Sequence, residues 1–399
     1  MDAGLSPQLP TAPEKPAGVP PKLQLLGLNE PEWKSEVGAL LGALSQPAYR
    51  GRQLRDWVFQ KTPDSFALMS DLPLELRQHL DERAELHPLH LREERISTDR
   101  TRKYLWERRG SGPIESVLIP EDDESDDLPQ QRDARSPARD RVTYCLSTQA
   151  GCPVKCTFCA TGYSGFEGQL SAAEIVDQVV QMRRISGQTP TNIVYMGMGE
   201  PLLNFPATLR SLEVLVDRDR LALGSRRITV STVGVPERIV ELGERFPQVK
   251  LALSLHAARD PLRTELIPLN RKHPIAEILA AVREHQRITQ KLPTIEYVVL
   301  PDVNDGPEDA RALGEVLRGL PSRINLIEFN PFDGVEYRKP EVRRMVEFRN
   351  AIQRHFQGPV TIRRSRGGDI HGACGQLMLA SREAPAPSVD AKTSTSEKS

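Results

Sequence analysis

From about residue 142 onward, short runs rich in β-branched residues alternate with amphipathic helical stretches. The runs are VTYCLS, NIVYMG, RITVST, KLALSLH, TIEYVVL and INLIEF, with VTIRRS as the last. Strands separated by helices of about 10 to 15 residues are typical of right-handed βαβ units, which build a parallel sheet. Six such units predict an α/β fold that forms a barrel or part of one. Functional groups are then expected at the carboxyl ends of the strands.

Composition limits the classes of protein that this chain can belong to. With 399 residues and 38% apolar content, it is long enough for two or three domains. No apolar run approaches the roughly 20 residues that a membrane span needs, and the N-terminal sequence lacks the basic and apolar segments of a secretory signal. Five cysteines are an odd number for a disulfide framework. We therefore expect a cytoplasmic protein with no membrane partner.

Changes of composition along the chain predict its domains. Proline, serine and charged residues dominate 1–21 and 381–399, which predicts two disordered tails. Helical patterning over 22–110 predicts a small, mainly helical accessory domain. A catalytic domain is expected over 111–380, interrupted by a polar insertion at 121–141. The formal net charge is −1, so any binding of nucleic acid must use a local surface.

Three of the five cysteines, Cys152, Cys156 and Cys159, follow the first strand with the spacing C-x3-C-x2-C. Three thiolates in one loop can bind a soft metal. Structural zinc requires a fourth ligand, and the sequence has no further Cys or His between 160 and 255. A [4Fe-4S] cluster held by three cysteines would leave one iron open to a ligand that is not protein. Zinc is therefore the weaker alternative.

This motif, placed after the first strand of a βα barrel, resembles the signature of radical S-adenosylmethionine (SAM) enzymes, and Phe158 fits the aromatic position between the last two cysteines. The resemblance implies one [4Fe-4S] cluster per chain, with SAM chelating the open iron. The stretch YMGMGEP at 195–201 is similar to the strand end that binds the SAM amino group, which implies roles for Gly199 and Glu200. We expect further cofactor contacts at the other strand ends, from Ser231, Ser254, Leu255, His256 and Asn330. Taken alone, each of these residues suits a strand cap or a core position better than a ligand contact; it is together that they are expected to line one SAM pocket.

Two longer stretches, CLSTQAGCPVKCTFCATGYSGF and GGDIHGACGQL, resemble the RlmN/Cfr family of radical SAM RNA methyltransferases. The resemblance implies a partial (βα)6-type radical SAM barrel with an accessory RNA-binding domain. It implies that Cys374 accepts a methyl group from one SAM before a second SAM supplies the radical. Cys145 would release the product by forming a disulfide with Cys374. IESVLIPE matches the strand that carries the family's base, which implies Glu115, although the long insertion after it departs from the family pattern.

The same resemblance implies the partners of the protein. The first is 23S ribosomal RNA, which would be methylated at carbon 2 of an adenosine in the peptidyl transferase centre. The second is transfer RNA, which would be methylated at adenosine 37. The resemblance also implies a monomer that receives electrons from flavodoxin or ferredoxin. The antibiotic-resistance branch, which methylates carbon 8, is the alternative. The sequence CTFCATGYSGF is more similar to the carbon-2 branch. Basic residues between Arg92 and Arg109 are predicted to contact RNA. Tyr104 and Trp106 would either stack on bases or fill the core.

Two other classes of protein are alternatives to a radical SAM RNA methyltransferase. A zinc-stapled RNA-binding module would make the Gly-Glu strand end and Cys374 accidental. A sulfur-inserting radical SAM enzyme acting on transfer RNA would need additional cysteines for a second cluster, and the chain has none to spare.

Overall fold

The structure is a computed structural model that describes residues 22–121 and 141–377. The two predicted tails, and all but the end residues of the predicted insertion at 121–141, lie outside these ranges. None of the helices within the ranges has both the length and the apolar content needed to cross a membrane.

The described parts of the chain contain fourteen strands. They are β1 (Leu23–Gln24), β2 (Ala84–Glu85), β3 (Leu89–Ile96), β4 (Arg102–Arg108), β5 (Ser111–Glu121), β6 (Arg141–Cys145), β7 (Gln149–Gly151), β8 (Phe166–Gln169), β9 (Asn192–Tyr195), β10 (Ile228–Thr232), β11 (Lys250–Ser254), β12 (Thr294–Val299), β13 (Arg323–Glu328) and β14 (Val360–Arg363).

The same ranges contain twelve α-helical segments. They are α1 (Glu30–Glu32), α2 (Gly38–Ala43), α3 (Arg50–Asp56), α4 (Leu74–Arg83), α5 (Ala160–Tyr163), α6 (Ala172–Ser186), α7 (Phe205–Val216), α8 (Pro236–Arg245), α9 (Asp260–Leu266), α10 (Ile275–Thr289), α11 (Pro307–Val316) and α12 (Val342–Gln353). Wider π-helical turns follow α1 and α3, at Trp33–Val37 and Trp57–Lys61.

One ten-stranded sheet organises the molecule, in the order β14-β13-β12-β11-β10-β9-β6-β5-β4-β3. β6 and the strands from β9 to β14 pair in parallel, each with its neighbour along the chain. Helices α6, α7, α8, α10, α11 and α12 lie between these strands in sequence, as the alternating pattern predicts. The predicted α/β fold with six βα units is confirmed, and the carboxyl ends of the parallel strands meet at one edge.

Helix α6, the first crossover, shows how local sequence sets an element. Ser171 and Glu174 form a reciprocal capping box: the Ser171 hydroxyl accepts from the Glu174 N–H at 3.2 Å, and the Glu174 carboxylate accepts from the Ser171 N–H at 2.7 Å. The helix ends at Gly187, whose φ of +69° suits glycine. Arg108 of β4 donates to the Glu174 carboxylate at 2.8 and 3.0 Å, which ties this helix to the sheet.

Strands β3, β4 and β5 extend the sheet by antiparallel pairing beyond β6. This differs from the expectation for 22–110, which kept that whole stretch in a mainly helical unit. The helical part ends at Arg83, and the following residues form two strands whose charged side chains pair with one another, as Arg102 does with Glu94 at 3.2 Å. Charges that pair across a two-stranded ribbon leave no simple apolar alternation to read from sequence.

Tyr104 and Trp106 of β4 are fully buried, and their rings stack with centroids 5.6 Å apart. The Trp106 indole N–H donates to the Ser116 hydroxyl at 2.6 Å. Of the two roles open to these aromatics, the structure therefore supports the core role.

The helical segment has its own apolar core, which includes Leu26 and Trp33. That core is continuous with side chains from the outer surfaces of α6 and α7, including Val176, Val180 and Val214. The segment is therefore packed against the crossover helices of the sheet.

The two faces of the sheet have different surroundings near β4, β5 and β6. Lys103 pairs with Val117, and Val117 pairs with Cys145, so these side chains share one face. Glu115 lies two residues from Val117 and projects to the same face. Ser116 projects to the opposite face, where its hydroxyl contacts the sulfur of Met182 in α6 at 3.4 Å.

Candidate active site

The loop that carries Cys152, Cys156 and Cys159 is held by backbone hydrogen bonds. The Cys152 N–H donates to the Gly165 carbonyl at 2.8 Å, and the Cys159 N–H donates to the Cys156 carbonyl at 3.2 Å. The Ala160 N–H donates to the Gly375 carbonyl at 2.7 Å, so the loop contacts the C-terminal segment that bears Cys374. The loop therefore lies beside the other predicted catalytic thiol.

All three thiols have raised pKa values, mainly because they are buried, and for Cys152 the pKa rises to about 12. The thiols also raise one another's pKa values through their mutual proximity, most directly at Cys156. Among residues 22–121 and 141–377, no three Cys, His, Asp or Glu side chains already converge as metal ligands. Three soft donors in one loop nevertheless fit a [4Fe-4S] cluster, because cluster iron deprotonates and orders its cysteines.

Glu200 follows β9 and is 3% exposed. One carboxylate oxygen accepts from the Leu202 N–H at 3.0 Å, and the other accepts from the Val233 N–H at 2.9 Å. Burial raises the pKa of Glu200 to about 6, and hydrogen bonds oppose that rise. A buried carboxylate that is oriented by backbone donors can hold a ligand ammonium group, as the sequence predicts.

Gly199 allows the chain to turn sharply into Glu200. Its φ is +98°, and a β-carbon there would lie 2.5 Å from the β-carbon of Gln149. The Gln149 side chain in turn accepts from the Glu200 N–H at 2.7 Å. Both the positive φ and the close contact require glycine at this position. Gln149 is a neighbour of Glu200 that the sequence motifs did not identify.

Ser231 and Ser254 lie on adjacent parallel strands, and their hydroxyl oxygens are 3.1 Å apart. Leu255 follows directly and is fully buried. The structure thus places three of the predicted pocket residues at the carboxyl end of β10 and β11. Their contact with SAM stays a prediction.

His256 is buried and adopts a left-handed backbone conformation with φ +58°. Its Nδ1 accepts from the Val298 N–H at 2.9 Å, and its ring meets that of Phe158 edge to face at 4.9 Å. Burial, with help from the nearby Arg263, lowers the pKa of His256 to about 3. The imidazole is therefore neutral, and it links the fourth parallel strand to the cysteine loop.

Arg263 is a buried cation that sequence reasoning did not identify. Its guanidinium donates to the Leu255 carbonyl at 3.0 Å, the Ser254 carbonyl at 3.2 Å and the Asn270 side chain at 2.6 Å, and also to the Val233 carbonyl. Burial lowers its pKa to about 10, so it remains charged at neutral pH. It fixes the ends of two strands where the pocket residues lie.

Cys145 and Cys374 are brought together although 229 positions separate them in the sequence. Burial raises the pKa of Cys145 to about 12, and the nearby Cys374 adds to the rise. Cys374 is exposed, and its carbonyl accepts from the Asn330 side chain at 3.3 Å. All five cysteines are free thiols in this structure, so the predicted disulfide between Cys145 and Cys374 is not present and stays a prediction about the reaction.

Glu115 is 1% exposed, so it is a buried carboxylate and does not lie on the surface. Its carboxylate is 3.0 Å from the Lys103 ammonium, which is itself buried. The backbone carbonyl of Glu115 accepts a hydrogen bond from the Ser147 hydroxyl at 2.5 Å. Ser147 lies two residues beyond Cys145 in the sequence. The predicted base therefore lies on the strand next to the predicted resolving cysteine.

The basic stretch between Arg92 and Arg109 is largely neutralised by its own surroundings. Arg92 is 3.8 Å from Glu107, and Arg109 is 3.4 Å from Glu85. Together with the pairs of Arg102 and Arg108 described above, these contacts reduce the positive charge available to RNA. Contact with RNA through this stretch stays a prediction.

Comparison with known proteins identifies the family. A family model described as "Radical SAM superfamily" matches residues 146–313, and one described as "Ribosomal RNA large subunit methyltransferase N-terminal domain" matches 23–86. A "Probable dual-specificity RNA methyltransferase RlmN" from Syntrophomonas wolfei is 40% identical over 89% of this chain and 97% of its own length. This chain belongs to the RlmN family of radical SAM RNA methyltransferases. The family predicted from the two cysteine-bearing stretches is confirmed.

A second relative and a solved structure agree with this assignment. The "Dual-specificity RNA methyltransferase RlmN" of Alcanivorax borkumensis is 40% identical over 90% of both chains. The crystal structure of a radical SAM methyltransferase from Sphaerobacter thermophilus has a TM-score of 0.80 and 40% identity, and covers 90% of this chain and 99% of its own. RlmN proteins, as radical SAM enzymes, use a [4Fe-4S] cluster and SAM, which confirms the predicted cofactors and enzyme class over the zinc-stapled and sulfur-inserting alternatives.

Proposed function

We propose that this protein methylates carbon 2 of an adenosine in the peptidyl transferase centre of 23S ribosomal RNA, and adenosine 37 of transfer RNAs, through an S-methylcysteine at Cys374. The observation that carries this proposal is the proximity of the exposed Cys374 to the buried Cys145, with Glu115 on the adjacent strand. The names of the relatives, dual-specificity RNA methyltransferases, support two classes of RNA substrate.

Carbon 2 of adenine is an electron-poor aromatic C–H, so it cannot attack the methyl group of SAM as a nucleophile. A radical route avoids this difficulty. When bound, the cluster and SAM supply a 5′-deoxyadenosyl radical by one-electron cleavage of the sulfonium. Cys152, Cys156 and Cys159 would hold the cluster, and the Glu200 carboxylate would hold the SAM ammonium group.

Cys374 carries the methyl group to the base. Its thiol accepts a methyl group from one SAM and loses its proton, which leaves a methyl thioether. After a hydrogen atom is removed from that methyl group, the methylene carbon forms a bond to carbon 2 of adenine. The exposed position of Cys374, in a glycine-rich segment, gives both SAM and RNA access to the sulfur.

Glu115 and Cys145 then release the product. Glu115 takes the carbon-2 proton, and the one electron that leaves the ring would return to the oxidised cluster that the three cysteines would hold. Cys145, as a thiolate, attacks the Cys374 sulfur, so that an S–S bond forms while the S–C bond breaks, and the freed carbon takes a proton to become the methyl group. A dithiol reductant returns the two cysteines to thiols. Burial raises the pKa of Cys145, so its thiol must give up a proton before the sulfur attacks.

Two cysteine variants test these roles. We expect Cys374→Ala to abolish methylation, because no sulfur remains to carry the methyl group. We expect Cys145→Ala to accumulate a covalent protein–RNA adduct, detectable as a shifted band on a denaturing gel. Free methylated RNA from Cys145→Ala, in amounts like those of the wild type, would contradict its role.

Mass spectrometry of nucleosides tests the position and the substrates. Ribosomal and transfer RNA from cells with and without the gene should differ in 2-methyladenosine. Finding 8-methyladenosine instead would place the protein in the carbon-8 branch.

We also propose that the enzyme acts as a monomer that takes electrons from flavodoxin or ferredoxin. Light scattering of the oxygen-free protein tests the first point. Replacement of a chemical reductant by each electron carrier in turn tests the second.

A further inference from the structure

We propose that Lys103 is a positioning residue that couples the base Glu115 to the segment bearing Cys374. The inference rests on the proposed function and adds to it a residue that orients the carboxylate of the base. Lys103 lies in the basic stretch predicted to contact RNA, and its two partners lie 12 and 268 positions away along the chain.

The burial of this lysine is the first observation. The side chain of Lys103 is 3% exposed and that of Glu115 is 1% exposed, with the Lys103 Nζ 3.0 Å from the Glu115 Oε1. An ammonium group that is removed from water must be compensated by ionic and polar partners. Lys103 has both, because it also donates to the His371 carbonyl at 3.3 Å.

The second observation is where that carbonyl lies. His371 is three residues before Cys374, in a segment that docks on the turn between β3 and β4. The Gly367 N–H donates to the Asp99 carboxylate at 2.8 Å, and the Asp369 carboxylate accepts from the Ser97 hydroxyl at 2.5 Å. The turn holds the segment at Gly367 and Asp369. Lys103 holds it at His371, which is nearer to Cys374 in the sequence. One ammonium group therefore contacts both the predicted base and the predicted methyl carrier's segment.

The charged and titratable groups around Glu115 decide what Lys103 contributes. Arg95 and Glu93 approach from β3, but Arg95 is paired with Glu93 at 2.6 Å. Cys145 lies on β6, and the charge of Arg363 on β14 opposes the rise in the pKa of Cys145. Lys103 is a buried cation in direct contact with the carboxylate. A buried carboxylate that loses such a cation loses a charged partner that orients it and compensates its burial, so it serves poorly as a base.

The loss of Lys103 should therefore impair one step and spare the earlier ones. Methylation of Cys374 and formation of 5′-deoxyadenosine do not require Glu115. Release of RNA does, because the covalent adduct cannot be resolved before the carbon-2 proton leaves. The expected defect is an accumulation of adduct that a charge-retaining substitution of Lys103 relieves.

The test uses the cluster-loaded, full-length protein with a transcript of its RNA substrate. For Lys103→Met at about pH 7, we expect normal Cys374 methylation and release of methylated RNA about a hundredfold slower than wild type, with adduct accumulating. Lys103→Arg, which keeps the charge, should restore release substantially, whereas Glu115→Gln should accumulate adduct. Lys250→Met, which changes an exposed lysine at the start of β11, should behave as the wild type.

Two results would overturn the proposal. One is an unchanged partition between adduct and released RNA in Lys103→Met. The other is an equal loss of every step with no rescue by Lys103→Arg, which would indicate a structural role alone. If Lys103→Met does not fold, Lys103→Arg decides, because a folded charge-retaining variant that accumulates adduct contradicts the proposal. Failure of the proposed function itself is distinguishable, since the wild type would then release no methylated adenosine.

Discussion

Glu200 illustrates how one buried residue can link the binding of a cofactor to pH. Two backbone N–H groups donate to Glu200 and fix both of its carboxylate oxygens. Within residues 22–121 and 141–377, no salt bridge joins Glu200 to a cation. A ligand ammonium group would supply the missing positive charge. Burial has already raised the pKa of Glu200 to about 6, so the charged form that binds an ammonium group predominates only above that pH.

We expect the affinity of the cluster-loaded protein for SAM to be constant above about pH 7 and to fall by about tenfold per pH unit well below pH 6. The sign follows from the titration, because protonation removes the negative charge that the ammonium group requires. Equilibrium binding of SAM across this pH range is the measurement. Glu200→Gln is the control and should bind weakly, with little dependence on pH. An equally steep pH dependence in Glu200→Gln would show that another group is responsible.

Residues in local motifs could be predicted from the sequence, and residues that act alone could not. Cys152, Cys156 and Cys159 lie within eight positions, so their spacing alone indicates a shared ligand. Arg263 and Lys103 carry no such signal, because their partners come from distant parts of the chain. Burial of an isolated charge depends on the packing of elements that single-residue patterns do not describe.

At the scale of elements, the turn between β3 and β4 anchors the glycine-rich segment. Asp99 accepts from the Gly367 N–H at 2.8 Å and from the Thr101 N–H at 2.9 Å, and these bonds help to lower its pKa. Gly367 has a φ of +66°, and a β-carbon there would lie 2.8 Å from the Thr101 methyl group. The segment therefore approaches the turn closely and at a defined point.

We expect Asp99→Asn to loosen this contact. The amide can still accept one hydrogen bond, but it lacks the charge that strengthens both. Hydrogen exchange of peptides covering 367–375 should become faster by about tenfold, which corresponds to the loss of one charge-assisted hydrogen bond. Asp56→Asn, in the helical segment, is the control and should leave this exchange unchanged. Protection equal to that of wild type in Asp99→Asn would show that the turn does not hold the segment.

Elements differed in how well the sequence predicted them. The parallel strands from β9 to β13 were predicted because each is a short apolar run, β-branched in all but β11, that is followed by an amphipathic helix. β3 was not, because LHLREERI places charged residues on an edge strand where they pair with β4. An edge strand whose charges are paired carries a weak alternation signal, so its sheet membership depends on contacts that the structure alone displays.

The whole molecule is held together by a shared layer of helices. Helix α6 presents Ile175 and Val179 to the core of the sheet and Val176 and Val180 to the core of the helical segment. The helical segment and the sheet therefore use two different sides of the same helix. Ordering of either core supports the other, which favours a single cooperative unit over two domains that unfold separately.

A substitution in the helical segment should therefore destabilise the entire protein. Leu26 is fully buried in the segment's core, and Leu26→Ala should lower the free energy of unfolding by about 2 to 5 kcal/mol, because it removes apolar contacts and leaves a cavity. Differential scanning calorimetry should show one transition moved to a lower temperature. Leu68→Ala, at a residue of the same segment that is 55% exposed, should leave the transition within about 0.5 kcal/mol of wild type. If Leu26→Ala instead separates an early transition from an unshifted main one, the helical segment and the sheet unfold independently, and the shared role of α6 is refuted.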